Sequence, residues 1–489
     1  MKSTVFITRE KIDINIYKFY TNIVNKYFKG GKNMDRMADI LGRVGTWCGQ
    51  NKYLSAIKNA FQSFMPLIIA GAVGVLWSNV LVNTDSGLGA IWKPIMVLEF
   101  LNPAFDAINF AAISCITVGI TFGIAQEIGS RNLGQEKAGY FPGMLGVAAW
   151  LSITQTNYNY ALVDTAKKTL ELTKKGELQL FTGISEDALG ASGLFTGMIV
   201  GIVSIELFCW LVKKDSLKIR MPETVPIGIA RVFEDLVPAI ITIIIIALCG
   251  LTCNIISENL TGNVLYLNDI IKTSIQGPLS SIGASLPGII VIYLIIMLFW
   301  LVGIHGNNML SAVKESLFTP LALQNMENYK AHKTVENIST MQWLQMTGEF
   351  GGSGVTIGLV VAILIFSTRE DNYAVATLSI VPSLFNINET VIFGIPMVLN
   401  PILGIPFVLA PIITITIGYV LTLINFCPKV VLIAPWTTPP IIFGFIATGA
   451  NPMGAVTQGI LLVVSVLVYT PFFIIYERMQ NKQVTGVAQ

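Results

Sequence analysis

The chain predicts an all-α polytopic membrane protein, and three observations carry that reading. Of its 489 residues, 53% are hydrophobic and 12% charged, where soluble domains carry roughly 25% charged residues; the mean hydropathy is +0.66. Apolar runs of about 17–25 residues, long enough to cross hydrocarbon as helices, recur about ten times, with shorter broken pieces between them. One such stretch, 382–411, encloses a carboxylate, Glu389, among Asn386, Asn388 and Asn400 and is interrupted by Gly394 and prolines at 396, 401, 406 and 411.

The remaining composition mainly excludes. A net charge of +2 says nothing about partners, and no nucleic-acid partner is expected. Six cysteines are scattered, mostly through apolar runs and without metal-ligand spacing, and read as small buried hydrophobes. Two histidines, His305 and His332, are too few for a His-based metal site. Neither metal nor cofactor is expected.

Residues 1–33 form a polar extension in which 1–32 carries seven Lys or Arg against two acids, with no apolar core fit for a signal peptide. Translation from Met34, or a mobile cytoplasmic arm, accounts for it. The first span is expected at 64–82 and the second at 105–125, joined by an outside loop with one lysine. The next loop, with Arg131 and Lys137, reads as inside. A short third span follows at 139–153. The polar excursion 154–187 then falls outside by helix count, although its four lysines oppose that placement. The fourth span, 188–212, is rich in small residues suited to close packing. Its Glu206 reads as an acid near the cytoplasmic interface, paired with Lys213 or Lys214. Lys213, Lys214, Lys218, Arg220 and Arg231 put the following connection inside. A fifth span ends near 256, and 265–281 can lie along the membrane surface. The chain divides there, into 34–262 and 263–489.

In the second half, a strongly apolar helix from Pro287 ends in a polar tip of Gly303, His305, Gly306, Asn307 and Asn308. Glycines on either side of His305 let backbone or ligand approach closely, while a plain structural hydrogen bond explains a membrane-embedded His equally well. The connection 314–345 is polar and reads as largely cytoplasmic, with His332 a solvated surface residue. The run Gly351, Gly352, Ser353, Gly354 lacks the lysine of a nucleotide-binding P-loop. Instead it offers backbone N–H groups and the Ser353 hydroxyl to hydroxyls or to an incoming phosphoryl group.

Glu389 is the leading site candidate. A charge at the centre of a membrane helix costs about 2.5–3.5 kcal/mol, so such a group normally lines a polar cavity or pathway. An interrupted helix at membrane depth must be buried in protein or line a cavity, and transporters build substrate sites from such segments. The plainer account is a kinked span whose Glu pairs with a neighbouring cation. Beyond it, an apolar span runs to about 426. Trp436, between prolines 435, 439 and 440, is either a platform for the apolar face of a sugar ring or an interfacial anchor. A last span, 460–475, ends in Glu477, Arg478 and Lys482, which suits a cytoplasmic C-terminus.

Four segments, MPETVP at 221–226, GIHGNN at 303–308, FNINETVIFGIP at 385–396 and PWTTPP at 435–440, stand in a telling order and spacing. Together they resemble the enzyme IIC component of the bacterial phosphoenolpyruvate-dependent sugar phosphotransferase system, in its lactose/cellobiose/diacetylchitobiose branch, from about residue 34 onward. The resemblance implies a homodimer in the inner membrane with both termini cytoplasmic, ten transmembrane helices, and two re-entrant hairpins in the C-terminal half. It assigns the dimer contact to 34–262 and an elevator-type transport movement to 263–489. It gives catalytic roles to Glu389 and His305, beside the sugar hydroxyl that accepts phosphate, and sets Trp436 beside the sugar ring. Asn386, Asn388, Ser353, Gly352 and Asn307 complete the expected substrate-binding set. Thr390 and Ile227 stand where many relatives have proline, which touches local geometry and leaves Glu389 in place.

With no phosphocarrier domain of its own, the chain needs a separate phosphorylated enzyme IIB, with IIA behind it. Basic loops such as 213–231 are docking surfaces for it, and membrane lipid is the remaining partner. The expected activity is import of a β-linked disaccharide of cellobiose or diacetylchitobiose type, phosphorylated on delivery. The acid and imidazole alone also fit a proton-coupled disaccharide symporter; the set of motifs favours group translocation. A membrane enzyme acting on lipid-linked sugars needs a second acidic or metal-binding cluster, which the sequence lacks.

Overall fold

A computed structural model describes residues 50–487 apart from 85–86, 161–178, 223–224, 396, 398–399 and 401, and before residue 50 only Ile40, Arg43 and Trp47. The expected extension 1–33, the start at Met34 and the middle of the 154–187 excursion lie outside the described residues. In chain order the main helices are α1 (Lys52–Leu76), α2 (Asn102–Asn109), α3 (Ile116–Leu133), α4 (Phe141–Ser152), α5 (Leu194–Val212), α6 (Ile227–Thr261) and α7 (Leu286–Leu301). They continue with α8 (Ser311–Lys330), α9 (Met341–Gly348), α10 (Ile357–Phe366), α11 (Glu370–Leu384), α12 (Glu389–Gly394), α13 (Gly404–Leu423) and α14 (Pro452–Val487). Six helical stretches among the described residues are long and apolar enough to cross a membrane: Lys52–Leu81, Lys93–Ser114, Ala191–Val212, Ile227–Thr261, Gly404–Leu423 and Pro452–Asn481. The all-α expectation holds but for a two-stranded antiparallel ribbon, β1 (Asn157–Tyr160) with β2 (Gln179–Thr182), in the polar excursion.

The chain forms two compact units. The first comprises 52–283 and 312–334, and so takes in 263–283 and most of α8 in addition to the expected N-terminal half. Within it α3 packs against α1, α4 and α5. Glycines set how closely these helices meet: a Cβ on Gly197 would lie 2.3 Å from the Thr121 hydroxyl, and one on Gly146 would lie 2.5 Å from Ala125. The single span expected at 105–125 is instead two elements. A π-type turn, Phe110–Ser114, follows α2 and ends at Cys115, whose φ of −106° and ψ of 15° break the helix before α3 begins. The Ser114 hydroxyl turns to donate to Glu186 at 2.6 Å.

Glu206 also differs from expectation. Its partner is Lys52, at 2.6 Å, with Asn132 donating at 3.2 Å, because the acid points inward among α1, α3 and α5. Lys214 lies over the Trp210 ring instead. The polar connection expected over 314–345 is largely the helix α8, which buries Lys314, Glu315 and Asn325. Polar groups inside the first unit receive it: the Lys330 ammonium donates to Asn109 at 2.8 Å, and Glu327 accepts from the Ala191 amide at 3.4 Å.

The second unit comprises 284–311 and 335–489. Its core gathers Ile296, Met297, Trp300, Leu359, Phe407 and Phe473 from α7, α10, α13 and α14. The segment Met341–Val355 and the helix after it meet at a 58° bend. Glu477 on α14 is buried and accepts from the Ser367 and Thr368 hydroxyls, the Thr368 and Arg369 amides and the Asn372 side chain. One carboxylate thus holds the turn between α10 and α11.

Glu327, on a helix outside the apolar spans, gives the first unit a pH response. Burial lifts its carboxyl to about 7, opposed by the Ala191 amide and Lys272 and reinforced by Glu186 and Asp187. The folded chain therefore holds this proton more tightly than the unfolded chain does. The stability it contributes is present at low pH and is lost as pH rises from about 4.5 to about 7. The thermal midpoint of the solubilised protein should fall across that window, and Glu327→Gln should flatten the fall; an unchanged slope in the variant would refute the assignment.

Candidate functional site

The site is built in the second unit, beginning where α7 ends. The Ile304 amide donates to Phe299 O and the Gly303 amide to Trp300 O, the paired bonds of a helix stop that needs a left-handed residue. Gly303, at φ 82°, is that residue. The turn throws His305 out at the tip. Gly306 then fits against α7 only because it has no side chain: a Cβ there would lie 2.1 Å from Ile296 O. His305 Nδ1 accepts from the Asn308 amide at 3.3 Å, so a neutral ring carries its proton on Nε2. The indole of Trp300 backs the imidazole, with ring centroids 4.3 Å apart.

Glu389 opens the short helix α12, where exposed N–H groups favour a negative charge. Its Oε2 accepts from the Asn388 amide at 3.1 Å, and its Oε1 lies 3.9 Å from His305 Nε2. Both side chains are accessible, 47% for Glu389 and 38% for His305. A hydroxyl oxygen about 2.8 Å from each group closes a triangle on that 3.9 Å edge, accepting from Nε2–H and donating to the carboxylate. No cluster of three or more His, Cys, Asp or Glu suited to a metal occurs among the described residues.

Two further segments frame the pair. The glycine turn carries positive φ at Gly351 (70°), Gly352 (91°), Gly354 (77°) and Val355 (55°). A β-branched residue in that region is strained by about 1–3 kcal/mol and persists only where its surroundings over-determine it. Here Thr356 donates to Gly351 O and Tyr469 to Gly354 O. Gly352 faces Asn388, whose atoms would meet a Cβ at 2.5 Å. Asn388 donates to Ser353 O at 2.7 Å and Asn307 to the Ser353 hydroxyl at 2.9 Å. The second segment is a turn closed by the Thr438 amide on Pro435 O, which leaves Trp436 half exposed at its corner.

The structure therefore brings all eight expected residues into one unit. Their roles separate there. His305, Glu389 and Trp436 present accessible side chains, whereas Ser353 and Asn388 are buried. The Asn386 side chain bonds to backbone on two other segments, and Asn400 caps the Ile402 and Leu403 amides at 2.9 Å. Sequence reasoning missed Glu349, which accepts from the buried Tyr293 hydroxyl at 2.9 Å just before the glycine turn. It also missed Gln458, which bonds the Ile441 and Gly444 amides and Met346 O. Glu349 had a readable signal, an acid beside a glycine run in apolar sequence. Gln458 had none.

A helical membrane protein with a carboxylate–imidazole pair among interrupted helices has the make-up of a transporter. This chain belongs to the phosphotransferase system EIIC family, whose profile matches residues 58–411. It is 29% identical over 455 residues to the lichenan permease IIC component of Bacillus subtilis, covering 92% of this chain and 94% of that protein. It is 28% identical over 494 residues to the cellobiose-specific EIIC component of Lactococcus lactis, covering 91% and 98%. The crystal structure of the transporter ChbC, the IIC component of the N,N'-diacetylchitobiose-specific phosphotransferase system, matches with a TM-score of 0.78 at 27% identity, over 95% of this chain and 99% of that one. The protein is thus a multi-pass membrane permease component of a sugar phosphotransferase system.

The packing at the tip makes a sharp test. Gly306→Ala must push His305 away from Glu389, because its Cβ meets rigid helix backbone. Gly303→Asn keeps a residue type tolerated at positive φ. At equal membrane levels, sugar phosphorylation should fall at least about tenfold in the first variant and much less in the second; equal losses would sink this account of the tip.

Proposed function

We propose that the protein imports a β-linked disaccharide of the cellobiose or diacetylchitobiose type and presents it for phosphorylation by a separate EIIB protein. The observation that carries this reading is the 3.9 Å gap between His305 Nε2 and Glu389 Oε1, which suits a single hydroxyl. Phosphoryl transfer through a loose transition state asks for positioning and electrostatics more than for strong base catalysis. Glu389 orients the acceptor hydroxyl and takes its proton late in the transfer, while His305 donates from Nε2. Trp436 supports a sugar ring with its exposed indole face. Asn307 Oδ1, buried without a hydrogen-bond partner, and the Ser353 hydroxyl, to which Asn307 Nδ2 donates, are further polar groups for sugar hydroxyls. The sugars named for the related permeases support the substrate class.

The same reading covers the architecture. Ten spans are proposed, with two re-entrant hairpins in the C-terminal half, one of them at the 58° bend after Val355. The N-terminal half, 34–262, forms the homodimer contact and 263–489 carries the sugar, in the bacterial inner membrane with both termini cytoplasmic. An exposed apolar stripe on α6, through Val232, Leu236, Ile240, Ile244, Leu248 and Leu251 at spacings of three and four, is a face for lipid or for the second copy.

Labelled cellobiose and diacetylchitobiose should enter cells and appear inside as sugar phosphate only when the cognate EIIB is present. Free sugar accumulating without EIIB, and lost on adding a protonophore, would overturn group translocation. Glu389→Gln should keep part of the sugar binding and lose phosphorylation by roughly 10²-fold or more, the scale of general-base assistance. Wild-type rates of sugar phosphate formation in that variant would remove Glu389 from the chemistry.

A further inference from the structure

Asn386 lies in the most polar part of the site segment and invites assignment as a sugar ligand, yet its amide is already engaged. Its Oδ1 accepts from the Gly351 amide at 2.6 Å, and its Nδ2 donates to Trp436 O and, at 3.1 Å, to Thr438 O. Both amide protons are thereby used on backbone. The three bonds reach two segments far away in sequence: the glycine turn that carries Ser353, and the turn that presents Trp436. The residue itself sits at φ 63°, a conformation that Asn tolerates better than most side chains. Asn386 bonds both the Gly351 amide and the carbonyls of the Trp436 turn, so one planar amide ties the spacing between them.

We propose that Asn386 is a positioning residue that fixes the Trp436 platform relative to the glycine turn, and so sets the width of the slot that receives the sugar ring. This rests on the reading of the site as a sugar site. Trp436 is half exposed and held by a turn without regular secondary structure, so its indole direction depends on what its backbone is tied to. The bonds to Trp436 O and Thr438 O tie both sides of that turn. A slot set this way discriminates sugars by ring thickness and substituents, without any contact between Asn386 and the sugar.

The test is a binding cycle on the full-length protein in membranes, using labelled cellobiose and diacetylchitobiose as probes. Asn386→Gly preserves the positive φ and removes the three bonds, so binding should weaken by about tenfold. In a Trp436→Phe background the same change should weaken binding much less, because the platform it positions is already impaired. An equal factor in both backgrounds would mean that Asn386 touches sugar directly and would overturn the proposal. Unchanged binding in Asn386→Gly would also overturn it, leaving only a turn-forming role. Should that variant fail to reach the membrane, Asn386→Asp serves: it keeps an acceptor for Gly351, loses the donors to Trp436 and Thr438, and should lose binding similarly. If the wild-type protein binds neither sugar, the sugar-site reading itself fails, an outcome distinct from a wild type that binds and a variant that matches it.

Discussion

A peptide group left unpaired inside an apolar layer costs several kcal/mol, so every interruption of a membrane helix must find partners outside its own ladder. The second unit meets that constraint with side chains. Gln458 bonds two amides and a carbonyl around 441–444 and 346, Tyr469 reaches Gly354 O, and Asn400 caps the amides of 402 and 403. Glu477 gathers the donors of the 367–372 turn. The breaks that create the site therefore depend on a scaffold of buried polar residues distributed over several helices.

The same scaffold decides which groups remain for chemistry. His305 is held on one nitrogen by the Asn308 amide and on one face by Trp300, and its Nε2 faces Glu389. Glu389 is limited by the Asn388 amide on one oxygen, and its other oxygen faces the imidazole. Preorganisation of this kind reduces the reorientation needed when a substrate hydroxyl arrives. The strain at Val355 belongs to the same economy, since the tight turn brings the Ser353 hydroxyl into reach of Asn307.

Much of this was legible in the amino-acid sequence because it follows from composition and local chemistry. Glu389 stood out as an acid in an apolar, proline-broken run, and His305 as a ring flanked by glycines; the fold then gave Gly303 and Gly306 distinct physical tasks. Apolar spans were legible from length. The break at Cys115 was not, because a π-type turn leaves hydrophobicity continuous across it. Pairing across sequence distance was equally invisible: Glu206 finds Lys52 rather than its neighbours Lys213 and Lys214, and α8 buries Lys314 and Glu315 where a polar connection was expected. The engagement of Asn386 and Asn388 with backbone could not be told from availability to a ligand, since both uses call for an amide.

The length of α6 has a mechanical meaning. Thirty-five residues at about 1.5 Å each make a rod of about 52 Å, against a hydrocarbon layer of about 30 Å. Such a rod must project beyond the layer or cross it steeply inclined. Turning such a helix by about 10° around its middle carries each end through about 4–5 Å, so a small change of inclination becomes a displacement of the loops at its ends.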